Sequence, residues 1–206
     1  SVVIVIDSAK GVETQTRRLM QVCRMRKTPV MVFINKMDRE GKDPFDLMDE
    51  VENELGIHVR PLSWPINNGQ RFKGVYNIFQ STLDLYTPNK TQVTESIRFD
   101  DVSDPQIAEL IGENDALKLQ EDLEMIEGVY NPFSHEEYLA GELAPVFFGS
   151  ALNTFGVKEL LECFVQIAPS PRPVEAIERK VDPMEDGFTA FCFKIHANMD
   201  PNHRSC

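Results

Sequence analysis

The run Val30-Met31-Val32-Phe33-Ile34 constrains the fold more than any other part of the chain. Five consecutive apolar residues, preceded by Pro29 and followed by polar Asn35, fit a strand buried on both faces of a parallel sheet. A second such run, Val2 to Ile6, lies upstream. Between them Leu19, Val22 and Cys23 follow helical spacing, with Arg26 at the edge of the stripe, and Thr28-Pro29 breaks the helix. Strand, helix and strand within about thirty residues predict a right-handed parallel βαβ unit.

At the carboxyl end of the key strand stands Asn35-Lys36-Met37-Asp38. Open α/β sheets bind ligands at that end. A carboxylate accepts two hydrogen bonds side by side, and guanine offers such a pair from N1–H and its 2-amino group. Adenine does not, so Asp38 is a candidate for selecting guanine. Asn35 would brace the loop and reach the far edge of the base, while the Lys36 stem would lie along the ring face.

The length of 206 residues allows one sizeable core, or one domain with a smaller module. No apolar run approaches the 18 or so residues of a membrane span, and no basic, apolar leader is present, so a cytoplasmic location is expected. The chain opens directly in an apolar strand without an initiator methionine, as a piece of a longer protein would. Cys23, Cys163, Cys192 and Cys206 are scattered, which disfavours a disulfide framework or a zinc site. A net charge of −12 excludes binding to DNA or RNA through bulk charge.

Farther along, Asp43-Pro44 starts a helix with Pro44, Met48, Val51 and Leu55 on one face, and Gly56 ends it. From Ile57 to Tyr76, prolines and glycines punctuate short apolar fragments, the texture of short strands, with Trp64 packing them onto the main body. Thr94 to Phe99 reads as a further strand, and Asp104-Pro105 as a helix start. Ala116, Leu119, Leu123 and Ile126 form a stripe stopped by Gly128, and Ser134 to Glu137 is a capping box. Pro145 leads into the strand Val146-Phe147-Phe148, followed by a helix burying Leu160, Leu161, Phe164 and Ala168. The proline-rich stretch 169–173 marks a boundary, and beyond it Thr189 to Ile195 reads as a lone strand.

Gly149-Ser150-Ala151 follows its strand as Asn-Lys-Met-Asp follows the earlier one. Small residues admit a ligand close to the backbone, and the Ala151 amide is placed to donate to the guanine 6-oxo group, where adenine carries an amino group.

These two elements resemble the guanine-recognition motifs of the translational GTPases. Val3 to Asp7 with Gly11-Val12-Glu13-Thr14-Gln15-Thr16 is similar to the strand and helix start that precede the asparagine motif in that family. Within it, the runs 43–46, 61–66, 72–76, 147–153 and 193–201 look like the branch of bacterial peptide-chain release factor three. The resemblance implies an α/β fold: the C-terminal half of a P-loop GTPase parallel sheet with helices on both faces, an α+β insertion, and the first strand of a β-barrel domain. The implied divisions are 1–56 and 144–173 for the GTPase part, 57–143 for the insertion, and 174–206 for the start of the barrel. Asn35, Lys36, Asp38, Ser150 and Ala151 would hold the guanine end of GTP or GDP. The implied partners are the ribosome and the class-I release factors, whose departure after termination the parent promotes while hydrolysing GTP.

No Gly-x-x-x-x-Gly-Lys-Ser/Thr run occurs. Asp38-Arg39-Glu40-Gly41 mimics the γ-phosphate motif, but its aspartate already belongs to the base reader. The parent would use Mg2+, yet none of the family's ligands for it is found here. Base binding without hydrolysis is therefore expected, with affinity no better than about millimolar. In the family the first strand lies beside one encoded upstream, so an exposed apolar edge and self-association through it are expected. Elongation factor G, a ribosomal-protection GTPase, and a non-catalytic interaction module are the alternatives.

Overall fold

The computed structural model describes residues 1–86, 96–190 and 192. It divides into two compact units, Ser1–Ala168 and Pro169–Cys206. The first begins with β1 (Val2–Asp7), α1 (Thr14–Met25), β2 (Val30–Asn35), α2 (Pro44–Leu55), β3 (His58–Pro61), β4 (Ser63–Ile66), β5 (Gly74–Asn77), β6 (Thr82–Leu85) and β7 (Ile97–Arg98). It continues with α3 (Pro105–Ile111), α4 (Glu113–Val129), α5 (His135–Ala140), β8 (Leu143–Phe148) and α6 (Val157–Ile167).

The main sheet has the order β1-β2-β8-β3, and every pairing in it is parallel. The α/β class expected from the two apolar runs is thus the observed one. In β2 the side chains alternate between two cores. Val30, Val32 and Ile34 join a cluster with Met20 and Cys23 of α1 and with Leu47, Met48, Val51 and Leu55 of α2. Met31 and Phe33 face the other way, onto Tyr138 of α5 and Leu160, Cys163 and Ile167 of α6. Helices cover both faces, which is why the strand is apolar throughout. Among the described residues no strand pairs with the outer edge of β1, where Val5 is 56% exposed.

Several boundaries differ from those expected. His58–Pro61 pairs with β8 in the main sheet, so the separate layer begins at Ser63 and not at residue 57. That layer is the antiparallel sheet β4-β5-β6-β7. β8 starts at Leu143 and runs through Pro145, because its first half pairs with β3 and only Val146–Phe148 pairs with β2. α4 passes through Gly128 and ends at Val129, capped by Tyr130, whose amide bonds to the Ile126 carbonyl. One glycine costs a helix about 1 kcal/mol, less than the burial of Ile126 returns.

The buried stripes of two helices also shift. α1 buries Met20 and Cys23 and leaves Leu19 and Val22 exposed, while α6 buries Glu159, Leu160, Cys163 and Ile167 and leaves Leu161 exposed. By contrast α2 keeps its expected signals. Asp43 accepts from the Phe45 amide at 2.8 Å, Pro44 opens the helix, and Gly56 closes it in a left-handed conformation. Ser134 likewise caps α5 by accepting from the Glu137 amide.

Trp64 ties the second layer to the first. It is fully buried on β4, its ring 4.5 Å from that of Phe45 and 5.3 Å from that of Phe148, and its Nε1–H donates to Asp122 Oδ2 at 2.9 Å. Asp84 of β6 and Glu159 of α6 are buried carboxyls, and burial raises both above the ordinary carboxylate value.

The second unit holds a short antiparallel ribbon of β9 (Val174–Glu175) and β10 (Lys180–Val181). Arg179 pairs with Glu185 beside it and draws that carboxyl down to about 2. Of the strand expected over 189–195, residues 189 and 190 are not in a strand, and 191 and 193–195 lie outside the described residues, as do 94 and 95 of the expected 94–99 strand.

Candidate functional site

Because β2 and β8 are parallel neighbours, with Ile34 opposite Phe148, the loops that leave them emerge at the same end of the sheet. The backbone stitches them together. The Gly149 amide donates to the Ile34 carbonyl at 2.9 Å, and the Met37 amide donates to the Gly149 carbonyl at 3.0 Å. Gly149 has no room for a side chain, since a Cβ there would stand 2.3 Å from the Phe155 carbonyl oxygen and 2.9 Å from the Phe33 ring.

Asn35 is the tie between the two motifs. Its Oδ1 accepts from the Lys36 amide at 2.8 Å and from the Ala151 amide at 2.8 Å. Asn35 thus couples the loop after β2 to the loop after β8. The Ala151 N–H, however, is spent on Asn35 in this structure, so a base would have to share that donor or take it over. Ser150 is buried, exchanges backbone hydrogen bonds with Phe155, and accepts from Asn153 Nδ2 at 2.9 Å. Its hydroxyl closes the 150–155 loop and leaves Ala151 exposed at the rim.

Lys36 occupies a left-handed conformation with φ 71°, uncommon for a residue with a side chain. Its carbonyl accepts from the Ser8 hydroxyl at 3.1 Å, and its Nζ pairs with Asp7 Oδ2 at 2.6 Å. That ammonium, together with the Ala9 and Lys10 amides, holds the Asp7 carboxyl below its ordinary range against the opposing effect of burial. Met37 is fully buried, which fixes the turn from beneath. Asp38 follows, half-buried, and among the described residues its carboxylate has no hydrogen-bond or ion-pair partner. Its charge reaches Tyr86, whose hydroxyl is pushed up by burial and then by Asp38. Tyr86 packs with Phe72 and Phe155, rings 5.1 and 5.5 Å away, as an apolar wall near the loop.

Residues 1–170 match the family described as Elongation factor Tu GTP binding domain, which covers most of the chain. The chain belongs to that family. As an elongation factor Tu GTP-binding domain it is a GTPase-family domain of translation, and a guanine nucleotide is the ligand that its kind binds. In fold it is similar to a solved crystal structure of a protein from Thermus thermophilus, with a TM-score of 0.57 at 21% identity. The similarity covers 82% of this chain and 26% of that one, so this chain spans about a quarter of its length.

The Asp38 carboxylate stands on the loop after β2, and the Ala151 N–H on the loop after β8 is bonded to Asn35 Oδ1. Among the described residues no three His, Cys, Asp or Glu side chains gather to hold a metal ion, and no helix is long and apolar enough to cross a membrane. Reading the sequence alone missed the part taken by Asp7 and Ser8. The signal was present, because two six-residue parallel strands in register place Asp7 opposite Asn35.

Proposed function

We propose that this segment is the guanine-recognition half of a translational GTPase, with Asn35, Lys36, Asp38, Ser150 and Ala151 as its base site. The observation that carries the reading is the double acceptance by Asn35 Oδ1, which fixes the Asp38 turn and the Ala151 loop as one surface. Asp38 reads the N1–H and 2-amino groups, the Lys36 stem lies along the ring, and the Ala151 region meets the 6-oxo side. Ser150 supports the loop. Phosphate and Mg2+ contacts come from outside this stretch, whose sequence has no phosphate-loop run, so the segment by itself binds the base without hydrolysing GTP.

The parent acts in termination, promoting departure of class-I release factors from the ribosome. The runs 61–66, 72–76 and 147–153 support that branch. Residues 62–142 form an insertion in the GTPase fold, between β3 and β8, and 174–206 open a β-barrel domain. An elongation-type GTPase is equally compatible with the family match. The two readings separate in one assay with the whole parent protein. Added with GTP to ribosomes carrying a class-I release factor after peptide release, it is expected to speed loss of that factor and leave translocation unchanged. Faster translocation with no effect on the release factor would assign it to the elongation type.

A further inference from the structure

We propose that Asp7 is a positioning residue for base binding: it stretches the Lys36 side chain between two fixed points, so that the methylene stem forms a preset floor for a purine ring. The proposal rests on the guanine reading above and adds to it a residue outside both recognition motifs.

Both ends of the Lys36 side chain are anchored. At the backbone, the left-handed turn is held by the Ser8 hydroxyl on the Lys36 carbonyl, and Ser8 is itself completely buried with its amide on the Asn35 carbonyl at 2.9 Å. At the tip, Nζ meets Asp7 Oδ2 at 2.6 Å. Asp7 is not a loose surface partner. Its other oxygen accepts from the Ala9 amide at 2.9 Å and the Lys10 amide at 3.3 Å, so the turn after β1 orients the carboxylate from behind. The Asp7 side chain is only 16% exposed, against 43% for Lys36.

An untethered lysine samples many rotamers and presents no defined face. Tied back from the β2 end to the β1 end, the stem crosses between two adjacent strand termini, because Asp7 stands opposite Asn35 in the register. The ammonium is then occupied, and what remains for a ligand is the hydrocarbon chain. Such a floor suits any flat ring and does not read its edge. Asp7 therefore governs how tightly a purine nucleotide binds, while Asp38 governs which purine binds.

The test compares GDP with inosine diphosphate, which lacks the 2-amino group, by NMR titration of the wild-type chain and of Asp7→Asn, Lys36→Met and the double variant. Asp7→Asn is expected to weaken both nucleotides by the same factor, roughly three- to tenfold, and to leave their ratio unchanged. Once Lys36 is Met, adding Asp7→Asn should cost nothing further. Without nucleotide, Lys36→Met should move the Asp7 carboxyl titration upward, because the ammonium is the largest influence that lowers it. That readout stands even if a variant binds too weakly to measure. Unchanged affinities in Asp7→Asn, a changed ratio, additive losses in the double variant, or an Asp7 titration indifferent to Lys36 would each overturn the proposal. If the wild-type chain binds neither nucleotide, the guanine reading falls and takes this one with it. If wild type binds and Asp7→Asn matches it, only the positioning role is lost.

Discussion

Asp38→Asn is expected to reverse the base preference of this chain, from guanine to xanthine nucleotides. The substitution keeps the size of the side chain and exchanges one acceptor oxygen for an N–H2 donor. Facing guanine, that donor meets the N1–H or 2-amino donors and a hydrogen bond becomes a repulsion. Xanthine carries an oxo group in place of the 2-amino group, which the amide can satisfy. Hydrogen bonds to a charged group are worth about 1.5–3 kcal/mol, so GDP should lose roughly ten- to a hundredfold in affinity, with xanthosine diphosphate gaining in proportion. No described residue competes for the carboxylate, so the change should fall on ligand binding and spare the fold. Competition between the two diphosphates, followed by saturation-transfer NMR, measures the ratio directly. Equal loss for both would mean that Asp38 does not read the base.

Trp64→Ala is expected to produce the largest loss of stability in the first unit, about 3–5 kcal/mol, because truncating a buried indole removes its transfer energy and leaves a cavity. This side chain links α2 through Phe45, the main sheet through Phe148, and α4 through Asp122. For a unit of this size that corresponds to a fall in Tm of roughly 6–20 °C. Trp64→Phe separates the two parts of the effect. It keeps most of the packing but deprives Asp122 of its donor, and that carboxyl, already raised by burial, should rise further. Circular dichroism melts of the two variants give the comparison, since the single tryptophan is lost in both. A melt of Trp64→Ala within about 2 °C of wild type would mean that the second layer is held by other contacts.

Much of the frame was legible in the sequence because its signals are local. An uninterrupted apolar run means cover on both faces, and β2 proves buried from Val30 to Ile34. Asp43, Pro44 and Gly56 delimit α2 through backbone chemistry that depends on nothing distant. The failures share a cause in tertiary contacts. His58–Pro61 carries a charge and a proline, but Arg60 is buried because the Tyr130 carbonyl and Glu127 receive its guanidinium, and the strand enters the main sheet. Pro145 looked like a strand start because its missing N–H is costly where both neighbours pair, yet at that point only β3 does. Leu19, Val22 and Leu161 fit helical stripes, but the sheet lies against the adjacent stripe in each helix.

The candidate site shows the same division. Asn35, Lys36, Asp38, Ser150 and Ala151 could be singled out from residue type and their place after two strands. Their mutual arrangement could not. The Asn35 to Ala151 bond closes over 116 residues of chain, and the Asp7 to Lys36 pair over 29. Only the parallel register brings those atoms together.

The most direct measurement is an amide NMR titration of the chain with GDP and, separately, with ADP, up to about millimolar concentration. If the two strand ends share one purine edge, GDP should shift the Ala151 amide together with the amides of residues 35–38, and ADP should leave them in place. Shifts confined to some other surface, or the same shifts with both nucleotides, would contradict the guanine site.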